Sequence, residues 1–359
     1  MALMLVYFLL ATPAMNDDGF QYEGFAESLA HGHLDFKSFY GFQGLSFFSV
    51  PIFWLTGSHN SIIIASIIFS LLSIPLAFLV GRAYFKTDRA GYYFLALFLL
   101  TPYPYTTMFR GFQEAALLFF ILLILHASFQ EKKWSPVVWS VGGIVKPFAL
   151  TLFPLFLKNF LNRKKIIWVA IALAIGAAYL GANHYQIGHW INNAAINSYQ
   201  GNFNPDNPPP LEKSFTLGLK GFLRVGANLL LSFRKIMISP AVILMGAWAL
   251  WQNKSLSKRQ EIILAIILNF LLVGLMTFSF SKYLLPMTTL FALAAVPMLM
   301  QNFWAKALVL IDSFFVFKPI FNYFGHSYWS SFYIYLFPLF LAAIVFLADY
   351  LRKWTKQLS

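Results

Sequence analysis

SIIIASIIFSLLSIPLAFLV, residues 61–80, decides the class of fold. It carries no charge, and about 20 apolar residues are what a helix needs to cross a bilayer. Working outward, further apolar runs occupy 91–105, 115–128, 135–160, 166–182, 236–251, 262–280, 283–300, 307–321 and 332–348. The composition agrees: of 359 residues, 59% are apolar and 11% charged, against roughly 25% charged in a soluble domain. That excludes a water-soluble globular enzyme. A β-barrel is disfavoured too, because barrel strands alternate polar and apolar residues and these runs do not. The expected fold is all-α and polytopic, one domain of about 10–12 transmembrane or re-entrant helices.

The 41 Phe, 17 Tyr and 10 Trp suit a bilayer and its interfaces. The net charge of +13 lies in short clusters between apolar runs, so it reads as topology rather than nucleic-acid binding. With no cysteine, disulfides, thiolate metal sites and a cysteine nucleophile are excluded. The first run, Ala2 to Met15, is short for a span and lacks the basic flank and small-residue site of a cleaved leader. With both termini inside, sixteen of the 26 Lys and Arg fall on cytoplasmic turns, among them Arg82, Lys86, Lys132 and Lys133. The positive-inside rule favours that orientation.

One run breaks the alternation. Residues 135–160 have basic clusters on both flanks and are interrupted by Gly142-Gly143 and Lys146-Pro147. Twenty-six residues are too few for two full crossings at 1.5 Å per residue. A re-entrant hairpin of two short helices, turning at Lys146-Pro147, is expected. Non-helical backbone at membrane depth requires protein or a wet cavity around it.

Two outer loops are expected, 16–60 and 186–235. In the first, Tyr22, Phe25, Ala26 and Leu29 recur at helical spacing with Glu23 and Glu27 opposite, which predicts an amphipathic helix over 19–30 on the outer surface. In the second, 215–233 reads as an interfacial helix.

Candidate functional residues are few. Asp17 and Asp18 follow the first apolar run, and Asp18-Gly-Phe-Gln21 also fits a capping box. Glu114 opens a later run on the same side, four residues after Arg110, where an i, i+4 pair or a favourable first-turn charge explains it equally well. Lys146 lies inside an apolar stretch, which is costly unless it meets water or an anion. Lys282 sits at a boundary where an interfacial anchor is the simpler reading. His31, His33 and Asp35 imitate a metal site but read better as a surface loop. Serine-hydrolase, P-loop, dinucleotide and zincin motifs are absent from the sequence.

Together these motifs resemble the GT-C superfamily of integral-membrane glycosyltransferases, including bacterial mannosyl- and arabinosyltransferase-like members. The resembling elements are Asp17-Asp18, the helix ending Leu29-Ala30-His31-Gly32, Glu114, the Gly142-Gly143 to Lys146-Pro147 hairpin, and Lys282-Tyr283-Leu284-Leu285-Pro286. The resemblance implies a GT-C-like bundle with outer-face amphipathic helices. It implies transfer of a sugar from a polyprenyl-phosphate carrier, with Asp18 or Asp17 as base and Glu114 as a second acid. Lys146, Lys282, Tyr283 and Arg110 become donor contacts. Some members use a divalent cation, Mg²⁺ or Mn²⁺, held by acids. The implied partners are the lipid-linked donor, a lipid-linked glycan or other cell-envelope acceptor, and membrane lipids, in the cytoplasmic membrane with catalysis on the outer face. Two alternatives stay open. A flippase of lipid-linked sugars would explain Asp312 inside an apolar run, and an O-antigen ligase or polymerase would use the 186–235 loop.

Overall fold

The computed structural model describes residues 17–36, 42–101, 111–157, 165–187, 239–254, 256–275, 281–323 and 342–348. Among them every regular element is helical: α1 (Asp17–Ala30), α2 (Gly44–Thr56), α3 (Ser61–Phe85), α4 (Asp88–Leu99), α5 (Glu114–Phe129) and α6 (Ser135–Val145), then a 3₁₀ arm (Pro147–Phe156). There follow α7 (Ile166–Ile187), α8 (Pro240–Gln252), α9 (Arg259–Leu275), a short 3₁₀ turn (Ser281–Leu284), α10 (Leu285–Gln301) and α11 (Phe303–Tyr323). Residues 1–16, Arg110 and the expected interfacial helix over 215–233 lie outside the described residues.

The uncharged run 61–80 lies within α3, whose two faces are inverted relative to a soluble helix. Ser66, Ser70, Ser73 and Ala77 are buried, while Ile68, Leu72 and Leu79 are exposed. Small residues at the interface and aliphatic ones outside are how a helix packs when its outer solvent is lipid. Two of these buried hydroxyls are satisfied, Ser66 and Ser73 donating to the carbonyls of Ile62 and Phe69 at 2.9 and 2.8 Å, while Ser70 Oγ has no partner among the described residues. α7 repeats the theme: 166–186 has a mean hydropathy of 1.9, yet only 17% of its apolar window is buried. A soluble protein rarely leaves so much contiguous apolar surface uncovered. α3 and α7 are the helices long and apolar enough to cross alone, and the other apolar helices among the described residues are shorter, 10–17 residues.

α3 and α5 run parallel, Ile62 lying beside Gly111 at one end and Leu79 beside His126 at the other. α4 turns back along α3, and α6 packs between α5 and α7. After Lys146 the 3₁₀ arm folds back on α6, where Trp139 Nε1 donates to Leu150 O at 3.1 Å and its ring meets those of Phe153 and Phe156. At the far end Lys258 Nζ donates to both Ser128 O and Leu155 O, at 2.7 and 3.2 Å. That lysine ties the end of α5 to the end of the arm. The hairpin tip at Lys146 therefore lies at the Glu114 end of the bundle, and its two feet at the other. A 3₁₀ helix rises about 2.0 Å per residue against 1.5 in an α-helix, so ten residues suffice for the return.

Two local expectations are corrected. Residues 44–56, expected to be part of a loop, form α2, which packs on α1 and α3; Pro51 and a length of 13 residues hid it from a search for spans. Glu23, expected to face solvent, is 5% exposed. It accepts from Ser61 N, Ser61 Oγ and Ile62 N at 3.2, 2.7 and 2.7 Å, capping α3 from outside. A carboxylate on the positive end of a helix satisfies donors that the helix cannot. Glu23→Ala should lower stability by about 1–3 kcal/mol, the cost of leaving buried donors unpaired, read as a lower midpoint of thermal unfolding in detergent. Asp312 does the same for α8, its Oδ2 accepting from Ser239 Oγ and Ala241 N at 2.5 and 2.8 Å. The acid that suited a transport path is part of the scaffold.

Candidate active site

The start of α5 and the tip of the hairpin carry the site. Glu114 is the first residue of α5 and 1% exposed. Lys146 occupies the break between α6 and the 3₁₀ arm, in extended conformation at φ −156°, ψ 138°, and is 8% exposed. The break is dictated locally, because Pro147 disfavours helical geometry at the residue before it and cannot donate a backbone hydrogen bond. Lys146 Nζ donates to Glu114 Oε1, across 32 residues of chain. Each charge thus has a partner in a place where neither would be tolerated alone.

Tyr283 completes the group. Lys146 Nζ lies 5.8 Å from its ring centroid, and the ring stacks on Phe148 with centroids 4.3 Å apart. A cation at that distance from an aromatic face is attracted by the ring's quadrupole. Buried Asn269 of α9 donates to the Tyr283 carbonyl at 3.2 Å and fixes the turn that presents the ring. The backbone of Lys282 belongs to that same turn, Ser281–Leu284, and its side chain lies outside the described residues.

Asp17 and Asp18 open α1, and their side chains also lie outside the described residues. The backbone places them: at Gly111, whose φ is +69°, an added Cβ would sit 3.5 Å from the Cα of Gly19. The first turn of α1 therefore abuts the turn leading to Glu114. The capping-box reading of Asp18 does not hold for its partner, because Gln21 Oε1 is buried without a hydrogen bond. Gln113 Oε1 is a second such orphan, beside Glu114, while Gln113 Nε2 donates to Phe42 O. Sequence reasoning gave Gln21 a capping role and passed over Gln113, and spacing offers no sign of an amide oxygen left unpaired. His31 is occupied locally, with Nδ1 2.8 Å from Glu27 O.

Next to this group lies an apolar cavity of about 340 Å³, lined by Phe36, Gly44, Phe47, Ile144 and Tyr179 among others. Phe42 stacks on Tyr179 and takes the Gln113 hydrogen bond, connecting cavity and ion pair. Among the described residues no three of His, Asp and Glu gather as a metal site.

No family model and no curated relative matches the chain. Solved structures do. ArnT from Cupriavidus metallidurans bound to undecaprenyl phosphate superposes with a TM-score of 0.60 at 12% identity, over 97% of this chain and 76% of that one. Its apo state gives 0.56 at 12% identity, over 97% and 75%. The chain has the ArnT fold. ArnT is a GT-C glycosyltransferase, and at 12% identity the likeness is one of fold. The ArnT fold is that of a polytopic membrane protein, in agreement with the inverted faces of α3 and α7.

Proposed function

We propose that the chain is an inverting glycosyltransferase of the cytoplasmic membrane that moves a sugar from a polyprenyl-phosphate carrier to a cell-envelope acceptor at the outer face. The observation that carries it is the buried Glu114–Lys146 pair under Tyr283, assembled from three distant segments on the ArnT fold. That ArnT was solved with undecaprenyl phosphate bound supports a lipid phosphate as the donor's carrier. The apolar cavity beside the pair supports a prenyl chain reaching it laterally. The outer-face assignment rests on the basic turns gathering at the opposite end.

In this reading the acceptor hydroxyl attacks the anomeric carbon, the bond from that carbon to the phosphate oxygen breaks, and the polyprenyl phosphate leaves with the electron pair. The proton passes to Asp17 or Asp18, the general base. Lys146 turns from Glu114 toward the phosphate charge that develops, with Lys282 and Arg110 as further cations. Because the leaving group departs as a stable phosphate anion, no general acid is required. One displacement inverts the centre. Glu114, released, orients the acceptor, and the orphan oxygens of Gln21 and Gln113 accept from sugar hydroxyls, which would explain why they are buried unpaired.

The test is Asp17→Asn and Asp18→Asn, each purified and given labelled undecaprenyl-phosphate sugars with membranes as acceptor. One variant should lose about 10²–10⁴-fold in sugar release, the contribution of a general base. Wild-type turnover by both would reject the proposed base.

A further inference from the structure

The end of the bundle away from Glu114 holds a second hollow, of about 400 Å³, where the C-terminal ends of α3 and α5 meet. Arg82, Lys86, His126, Gln130 and Lys132 line it, with Leu79 at its apolar edge. We propose that this hollow binds the headgroup phosphate of an anionic phospholipid whose acyl chains run along the exposed stripe of α3.

Four observations carry this. The first is charge: three cations face the hollow, and among the described residues the one carboxylate paired with any of them is Asp88, 3.0 Å from Arg82 and more than half exposed. Lys86 and Lys132 take part in no ion pair among the described residues; Glu131 adjoins Lys132 in the chain but does not line the hollow. The second is backbone conformation. Lys86 ends α3 at φ +60°, a left-handed position that glycine adopts without strain and lysine does not. Glu131 and Lys258 share that conformation, at φ +52° and +51°, and of the three Lys86 is the one that lines the hollow. The third is His126, whose buried Nδ1 has no hydrogen-bond partner. The fourth is continuity. Residues 68, 72, 75, 79, 82 and 86 are all exposed and recur at spacings of three and four, so one face of α3 passes from Ile68, Leu72 and Leu79 directly into Arg82 and Lys86. An apolar track ending in cations matches acyl chains ending in a phosphate.

Depth fits as well. Twenty residues of α3 separate Ile62, beside the Glu114 turn, from Arg82, about 30 Å at 1.5 Å per residue and so the thickness of the hydrocarbon core. The hollow therefore sits at headgroup level of the opposite leaflet. Basic residues at a helix C-terminus also favour the helix dipole, but that role needs neither the hollow nor the apolar stripe. A basic pocket between spanning helices is where anionic headgroups dock. The inference does not depend on the chemistry at Glu114.

The experiment is native mass spectrometry of the full chain in detergent, offered equal amounts of phosphatidylglycerol and phosphatidylcholine. Wild type should retain phosphatidylglycerol about tenfold over phosphatidylcholine, and the double variant K86G/K132Q should fall to near parity, each lysine near an anionic headgroup contributing several-fold. Lys86→Gly keeps the left-handed turn, so the thermal midpoint should not fall, and Lys254→Gln, which removes an exposed lysine outside the hollow, should retain the wild-type preference. Unchanged retention in K86G/K132Q would overturn the proposal. So would complete displacement of phosphatidylglycerol by millimolar inorganic phosphate, which would mark a site for free anions instead.

Discussion

Lys146→Met is expected to lower stability by about 3–5 kcal/mol, because it leaves the Glu114 carboxylate buried and unpaired. With exposures of 1% and 8%, neither member of the pair can turn to bulk water for compensation. Glu114→Gln alone should be damaging by the same mechanism in reverse. E114Q/K146M should recover most of the loss, since two neutral side chains of similar volume cost less to bury than one orphan charge. Sugar transfer, in contrast, should be lost in all three variants. Thermal unfolding in detergent, read beside release of labelled sugar, separates the two roles. A Lys146→Met protein as stable as wild type would show that the two charges do not depend on each other, and transfer by the double variant would remove the pair from the proposed chemistry.

The sequence made the break at Lys146-Pro147 legible, since a Gly-Gly step followed by Lys-Pro inside an apolar run admits few conformations. Glu114 was legible as an unusual acid opening an apolar helix. Their partnership was not. Local spacing pointed from Glu114 to Arg110 at i, i+4, whereas the partner visible in the structure arrives from the tip of a hairpin 32 residues on. Glu23 shows the same limit: helical spacing put it on the polar face of α1, correctly for an isolated helix, but the α3 N-terminus docks on that face and the carboxylate becomes a buried cap. Period and composition report which residues a helix turns to each side. They do not report what arrives there.

The same distinction separates scaffold from site among the acids. Glu23 and Asp312 each accept from the first backbone N–H groups of another helix, so they are fixed acceptors of the scaffold. Glu114 is bonded instead to a side chain, that of Lys146 at the break between α6 and the 3₁₀ arm. A carboxylate held by a movable cation can be released when a second anion enters, and one held by backbone donors cannot.

Next to the hinge at Lys146 lies a close approach of main chain, and a single methyl should disturb it. Gly44 begins α2, and a Cβ added there would lie 2.3 Å from the Cα of Val145 and 2.7 Å from its backbone nitrogen. Both obstructing atoms are main chain, so no rotamer change can relieve the clash. Either α2 or the residue before Lys146 must move. Gly44→Ala should cost about 1–3 kcal/mol, the usual range for overpacking a tight interior, and should shift Lys146 relative to Glu114 and Tyr283. Transfer per folded molecule should therefore fall about a hundredfold, since a misplacement near 1 Å costs that much in an oriented site. Gly181→Ala provides the contrast: an added Cβ meets nothing within 4 Å there, and alanine in a helix interior is favoured over glycine by about 1 kcal/mol. The thermal midpoint should rise or hold in Gly181→Ala and drop in Gly44→Ala. If Gly44→Ala instead kept both its midpoint and its turnover, the contact between α2 and the hinge would not be what positions Lys146.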